Sequence, residues 1–103
     1  MDNYKVLFSD EAMKDIEILT TYIKSTSYSP EKANKFHEEL MSLIQSLNQM
    51  PNRHEIVNVK NIREDNIRRL IYDDYLIFYC VDDYKKVVHI ISIVNGMQDW
   101  KTN

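Results

Sequence analysis

NIRRLIYDDYLIFYCVDDYKKVVHIISIVNGMQDW, residues Asn66 to Trp100, is the stretch whose reading decides the fold. It holds three runs rich in β-branched and aromatic residues: Ile67–Tyr72, Tyr75–Val81 and Val87–Val94. Asp73-Asp74 and Asp82-Asp83-Tyr84-Lys85 separate them. Apolar runs of this length with short polar punctuation predict three strands joined by hairpin turns, an antiparallel meander. Val87–Val94 is apolar at both alternating sets of positions apart from His89 and Ser92, which predicts a central strand packed on both faces. Arg68 and Arg69 stand together in the first strand, and a short polar tail ending in Trp100 follows the last.

Working back from the meander, Glu55–Lys60 is a weaker strand candidate, with Ile56 and Val59 as its apolar members. At the other end of the chain, Tyr4–Phe8 predicts a short first strand. Ser9 follows as a helix N-cap, with Asp10 and Glu11 in the first turn, where the helix dipole favours negative charge. Ala12, Ile16, Leu19 and Ile23 recur at helical spacing through about Lys24, and Tyr22 widens the stripe. Ser25-Thr26-Ser27-Tyr28 predicts a polar link. Ser29 and Pro30 then supply the N-cap and first position of a second helix, whose buried face is Ala33, Phe36, Leu40, Leu43, Ile44 and Leu47. Met50-Pro51-Asn52 ends it. Neither helix can bury its stripe alone, so the hairpin they form must cover a sheet. The expectation is an α+β fold of order β-α-α-β-β-β: an antiparallel sheet with an N-terminal strand and an α-helical hairpin packed on one face.

Length bounds the rest. At 103 residues the chain is expected to be a single domain over 1–103, with 44% hydrophobic and 28% charged residues, an ordinary globular composition. There is no internal repeat and no low-complexity tract. The start of the chain lacks the pattern of a signal peptide, and no stretch approaches the roughly 20 apolar residues of a membrane span. A cytoplasmic protein is expected, and the single cysteine, Cys80, agrees with a reducing compartment.

Composition also excludes chemistry. With Gly96 the one glycine, no phosphate-cradling glycine loop can form, and no nucleotide cofactor is expected. His37, His54 and His89 lie far apart in the sequence, and no pair has metal-ligand spacing, so no metal is expected. His37 reads as the edge of a helix stripe. His89 reads first as a hydrogen-bonded core histidine, with a functional role as the alternative. Cys80 reads as a small buried apolar residue rather than a nucleophile. Asp15, Glu17, Glu38 and Glu39 read as solvated helix carboxylates.

The net charge of −3 is unevenly spread. Residues 1–52 carry five Lys/Arg against eight Asp/Glu, residues 53–69 five against three, and residues 70–103 three against five. A general polyanion binder should be basic throughout. This chain has only a local basic zone, Arg53, Lys60, Arg63, Arg68 and Arg69, where the sheet begins. For the paired arginines, one reading is alternation across the two sheet faces, one side chain ion-paired and the other solvated; phosphate binding is the other. The aromatics Tyr72, Tyr75, Phe78 and Tyr79 read as sheet packing, with base stacking as the alternative.

The order of elements, Tyr75-Leu76-Ile77-Phe78-Tyr79 and the closing Asn95-Gly96-Met97-Gln98-Asp99-Trp100 together resemble the RelE/ParE superfamily of toxins from type II toxin–antitoxin modules, and within it the ParE branch. The resemblance covers nearly the whole chain. It implies a growth-inhibiting toxin of plasmid maintenance or stress response, neutralised by a cognate antitoxin that wraps around it. The ParE branch implies DNA gyrase as target; the RelE branch implies cleavage of mRNA on the ribosome. For cleavage, Arg68, Arg69 and His89 are the candidate catalytic residues. For antitoxin or target contacts the candidates are Lys60, Arg63, Arg68, Arg69 and Trp100. Metal-free RNA cleavage needs an acid–base pair and positive charge at the phosphate. Leu76 stands where the cleaving relatives carry arginine, and the tail Asn95–Trp100 has no Arg, Lys, His or Tyr. Cys80 stands where ParE relatives often carry arginine after the aromatic strand. A non-toxic, antitoxin-binding relative is the third reading.

Overall fold

The structure, a computed structural model, describes residues 3–102. β1 (Lys5–Phe8) leads into α1 (Asp10–Ser27) and α2 (Pro30–Gln45), followed by single 3-10 turns at Ser46–Asn48 and Pro51–Arg53. The meander is β2 (Arg68–Tyr72), β3 (Tyr75–Asp82) and β4 (Val87–Asn95). The four strands lie in the order β1-β4-β3-β2, so β4 is an inner strand, as its apolar character requires. β2, β3 and β4 pair antiparallel, whereas β1 joins β4 in parallel, with Lys5 opposite Val87 and Phe8 opposite Ile90. The sheet is therefore mixed. The helical hairpin between β1 and the meander carries the chain over one face, the long crossover that parallel entry needs.

Helix starts follow the sequence signals. The Ser9 hydroxyl accepts the Ala12 N–H at 3.0 Å and donates to the Ile91 carbonyl at 2.7 Å, capping α1 and tying it to β4 at once. Ser29 accepts from the Lys32 N–H at 3.2 Å, with Pro30 opening α2. The link differs from expectation. Ser25, Thr26 and Ser27 are the last helical residues of α1, and their hydroxyls donate back to the carbonyls of Tyr22 and Ile23, at 2.6–3.1 Å. Only Tyr28, in the left-handed region at φ 54°, and Ser29 connect the helices.

Ala12, Ile16, Phe36, Leu40, Ile44 and Leu47 pack onto Leu70, Ile77, Tyr79, Val88, Ile90 and Ile93. Burying each large aliphatic side chain here contributes roughly 1.5–3 kcal/mol. Tyr22 does not widen the α1 stripe; it is exposed. A register shift at Phe78/Tyr79, with Tyr79 opposite Ile90 and Phe78 opposite Ser92, leaves Ile91 as an extra residue in β4. That bulge lets Ile90 and Ile93, three apart, both face the helices, which strict alternation would forbid. Tyr79, wholly buried, donates its hydroxyl to the Pro51 carbonyl at 2.7 Å, as a phenol in a core must.

A smaller cluster covers part of the opposite face: Ile67, Leu76 and Phe78, under Val57, Val59, Ile62, Val94 and Trp100. The strand expected at Glu55–Lys60 is not formed. The segment makes single bridges, Ile56 to Arg68 and Val59 to Lys101, as it crosses from the β2 edge to the tail and can follow neither for long. β4 is accordingly packed on both faces only over its second half; His89, in its first half, is exposed.

Candidate functional site

The sheet face away from the helices is built by β2, β3 and β4 and by two irregular segments that clasp it. Residues 58–60 and 100–102 lie antiparallel, the Lys60 N–H donating to the Trp100 carbonyl at 2.8 Å and the Thr102 N–H to the Asn58 carbonyl at 3.1 Å. Lys60 also pairs with Asp99 at 2.5 Å. Trp100 rests on Phe78, ring centroids 5.3 Å apart, and the Arg69 guanidinium carbon lies 6.0 Å from the indole centroid. Arg69 pairs with Glu55 at 2.7 Å. Gly96–Asp99 of the tail are exposed, but Trp100 at its end is half-buried and pinned at both the backbone and the ring.

The paired arginines part across the sheet. Arg69 lies opposite Phe78, on the clasped face, and Arg68 opposite Tyr79, on the helix side. Arg68 is half-buried and donates to the His54 carbonyl at 2.6 Å. His89 shares the clasped face, since Cys80 is its register partner and Cys80 and Phe78 alternate in phase. Two interstrand steps and two residues of rise still separate it from Arg69, roughly 12 Å between Cα atoms. His89 is therefore no core histidine, and the three candidate catalytic residues do not converge.

The basic zone is largely used internally. Arg53 donates to the Gln49 and Met50 carbonyls at 2.6 and 2.9 Å, closing the end of the helical region. Lys60, Arg68 and Arg69 have the partners named above. Among the described residues Arg63, in the loop after Lys60, is the member of the zone with no such partner. Of the candidate contact residues, Lys60, Arg69 and Trp100 thus form one cluster, Arg63 is exposed in the loop that follows Lys60, and Arg68 lies on the other face of the sheet.

Titratable groups fit structural roles. Burial pushes the Cys80 thiol up, with the Glu64 and Asp82 carboxylates acting the same way, so it is a thiol and a poor nucleophile. It is half-buried on the open half of the clasped face rather than in the core. Burial, then the charges of Arg53 and Arg68, hold His54 below its ordinary value; its Nε2 is buried without a partner, and its ring stands edge-on to Tyr79 at 6.3 Å. Among the described residues no three His, Cys, Asp or Glu side chains gather as a metal site would require. Among the described residues no helix is long and apolar enough to cross a membrane.

A second feature lies between α1 and α2: an apolar groove of about 380 Å³ lined by Phe8, Met13, Ile16, His37 and Met41, beside Glu17, Thr20 and Thr21. His37 is at the stripe's edge, as read. Sequence reasoning missed Glu55 and Asp99 as partners of Arg69 and Lys60; both pairs span irregular segments, for which no periodicity exists to set a register.

Residues 6–100 match the family described as ParE toxin of type II toxin–antitoxin system, parDE. No curated protein matches the chain. Among solved structures, the chromosomal ParDE toxin–antitoxin system of P. aeruginosa is 16% identical and aligns over 92% of this chain and 98% of that one, with a TM-score of 0.72. The RelBE toxin–antitoxin complex of Mycobacterium tuberculosis is 18% identical over 90% and 98%, with a TM-score of 0.59. A mutant of E. coli toxin RelE in the free state is 21% identical over 92% and 85%, with a TM-score of 0.56. At such identities these likenesses are of fold. The family match spans almost the whole chain, and the protein belongs to the ParE toxin family of type II toxin–antitoxin systems.

Proposed function

We propose that this protein inhibits bacterial growth by engaging DNA gyrase, that a cognate antitoxin neutralises it, and that it works in the cytoplasm, in plasmid stabilisation or stress response. The alternative is a ribosome-dependent mRNA endonuclease using Arg68, Arg69 and His89. One observation carries the preference: those three side chains do not converge. Arg68 faces the helix side, Arg69 is held by Glu55 beside Trp100, and His89 stands apart from both. Removing preorganised donors from a phosphoryl transition state costs a few kcal/mol each, so an unassembled set should lose orders of magnitude in rate.

For the antitoxin, support comes from the apolar α1–α2 groove, with Met13 61% exposed at its side. Contacts of that kind are not screened by salt, whereas exposed ion pairs are, over a Debye length of about 8 Å at physiological strength. Complex formation should therefore weaken only moderately as salt rises.

The deciding experiment runs purified protein in two assays. Gyrase should lose supercoiling activity or accumulate cleaved DNA, while message on translating ribosomes stays intact. Codon-phased cuts that vanish in Arg69→Ala or His89→Ala would reverse the assignment. Activity in neither assay would favour a non-toxic, antitoxin-binding relative.

A further inference from the structure

Ser92 is 7% exposed, and among the described residues it and Tyr79 are the buried side chains that carry a polar atom. The Tyr79 hydroxyl has its partner in the Pro51 carbonyl; the Ser92 hydroxyl makes no hydrogen bond to any described residue. A buried hydroxyl left unpaired is costly and calls for a reason. It is not sealed in either, since it keeps contact with open space where His54 Nε2 does not. Ser92 lies opposite Phe78, so its side chain is on the clasped face. There it lines a pocket of about 210 Å³ whose walls include Phe78, Val94 and Trp100.

Three charged side chains line this pocket: Glu11 from the first turn of α1, and Lys60 and Asp99 from the clasp. Lys60 and Asp99 pair with each other. Arg69, with its guanidinium carbon 6.0 Å from the indole centroid, is answered by Glu55. Glu11 makes no ion pair among the described residues, although Lys14 stands three positions along the helix. The helix dipole favours the ionised carboxylate there without giving it a partner. One uncompensated negative charge therefore stands at the pocket, beside aromatic walls and an unpaired hydroxyl. A phosphate-bearing ligand would meet that charge with both neighbouring cations already taken. A flat guanidinium suits it best. It stacks on aromatic rings and can donate to the Ser92 Oγ and the Glu11 carboxylate together, whereas an ammonium is a compact, strongly hydrated charge. The space is below the roughly 300–1,000 Å³ of small-molecule sites and suits a single side chain.

We propose that this pocket receives the side chain of an arginine presented by a partner protein. The guanidinium lies against the Trp100 and Phe78 rings, donates to the Ser92 hydroxyl and pairs with Glu11, while the aliphatic stem passes Val94. The clasp then does more than close the fold, because its tryptophan forms a wall of the binding pocket. The site is separate from the α1–α2 groove, and the proposal does not depend on gyrase being the target.

Trp100 is the only tryptophan, so its fluorescence reports on the pocket in the full-length protein. The probe is acetylated, amidated arginine, which presents the side chain between peptide groups, with the matching citrulline and lysine compounds as controls. The arginine compound should shift the fluorescence saturably, with a Kd of roughly 1–10 mM; citrulline, uncharged, should not, and lysine should bind more weakly. Ser92→Val removes the hydroxyl, fills the space and should abolish the shift. Should Ser92→Val fail to fold, Glu11→Gln at the exposed rim decides: it should weaken binding roughly three- to fivefold and flatten its salt dependence. An equal response to arginine and citrulline, no saturable response to arginine, lysine binding as tightly as arginine, or Glu11→Gln binding like the wild type would overturn the proposal. So would tighter binding of adenosine monophosphate, which would mark a nucleotide site, or of free arginine, which would mark a site for the amino acid.

Discussion

The carboxylate of Asp15, on α1, accepts the backbone N–H of Ile93, in β4, at 3.0 Å. β1 ends at Phe8, so the outer edge of β4 beyond Ile90 has no strand beside it. α1 takes that place with two side chains: Ser9 donates to the Ile91 carbonyl and Asp15 accepts from Ile93. A carboxylate expected to be solvated is thereby a docking contact between helix and sheet. Asp15→Ala leaves the Ile93 N–H without a partner and should cost about 1–2 kcal/mol, measured by urea unfolding. An Asp15→Ala midpoint equal to the wild type would remove the docking role.

The same contact has a sign in pH. Burial raises the Asp15 pKa above its ordinary 3.8, outweighing the hydrogen bond from Ile93 and the charge of Lys14, which lower it. The folded state then holds this proton more tightly than the unfolded chain does. Relative to Asp15→Asn, the wild type should gain stability as the pH falls through the folded pKa toward 3.8. Parallel unfolding curves at neutral and mildly acid pH test this; a difference that moves the other way contradicts it.

Tyr79 gives the alkaline counterpart. Its buried hydroxyl, bonded to the Pro51 carbonyl, is pushed up to about 12 mainly by burial, against the lowering charges of Arg68 and Arg53. The unfolded phenol ionises near 10, so the stability it contributes is present below that pH and is lost as the pH rises toward 12. Tyr79→Phe should cost about 1–2 kcal/mol at neutral pH and flatten the alkaline limb of the stability curve. An unchanged limb would mean that other tyrosines dominate it.

Tyr28 closes α1 in the left-handed region at φ 54°, with its side chain 91% exposed. A glycine at this position relieves the steric cost of the conformation while forfeiting little packing. Tyr28→Gly should raise the stability by roughly 0.5–1 kcal/mol. Destabilisation would show that Tyr28 makes a contact that its exposure does not reveal.

Trp100 and Lys60 separate packing from charge in the clasp. Trp100→Ala removes the ring from Phe78 and Arg69 and should cost roughly 1–3 kcal/mol. Lys60→Ala breaks a pair whose Asp99 side chain is 83% exposed and should cost less than about 1 kcal/mol. Hydrogen exchange at the Lys60 and Thr102 amides should quicken far more in the first variant. Equal effects would place the charge pair, not the indole, at the centre of the clasp.

The sequence alone determined the two helices, the first strand and the meander, their order and most of the helix-facing core, though not the irregular path of Glu55–Lys60. Ser9, Ser29 and Pro30 announce helix starts by local hydrogen-bonding and dihedral chemistry. Phe36, Leu40 and Ile44 reveal a buried face by helical spacing, and the three apolar runs punctuated by aspartates define a meander. Such signals act between residues a few positions apart. The tertiary structure decided what depends on residues distant in the chain. The parallel entry of β1 beside β4 and the bulge at Ile91 are matters of pairing, which no local pattern encodes. Asp15 became a partner of Ile93, 78 positions away, only because β1 stops short. Arg68 and Arg69 had to part across the sheet by alternation, but which one would meet Glu55 depended on where an irregular segment crosses the β2 edge. The same crossing pins Trp100 and leaves Ile71 uncovered, because segments without periodicity take their positions from whatever backbone groups and apolar surface the sheet leaves unfilled.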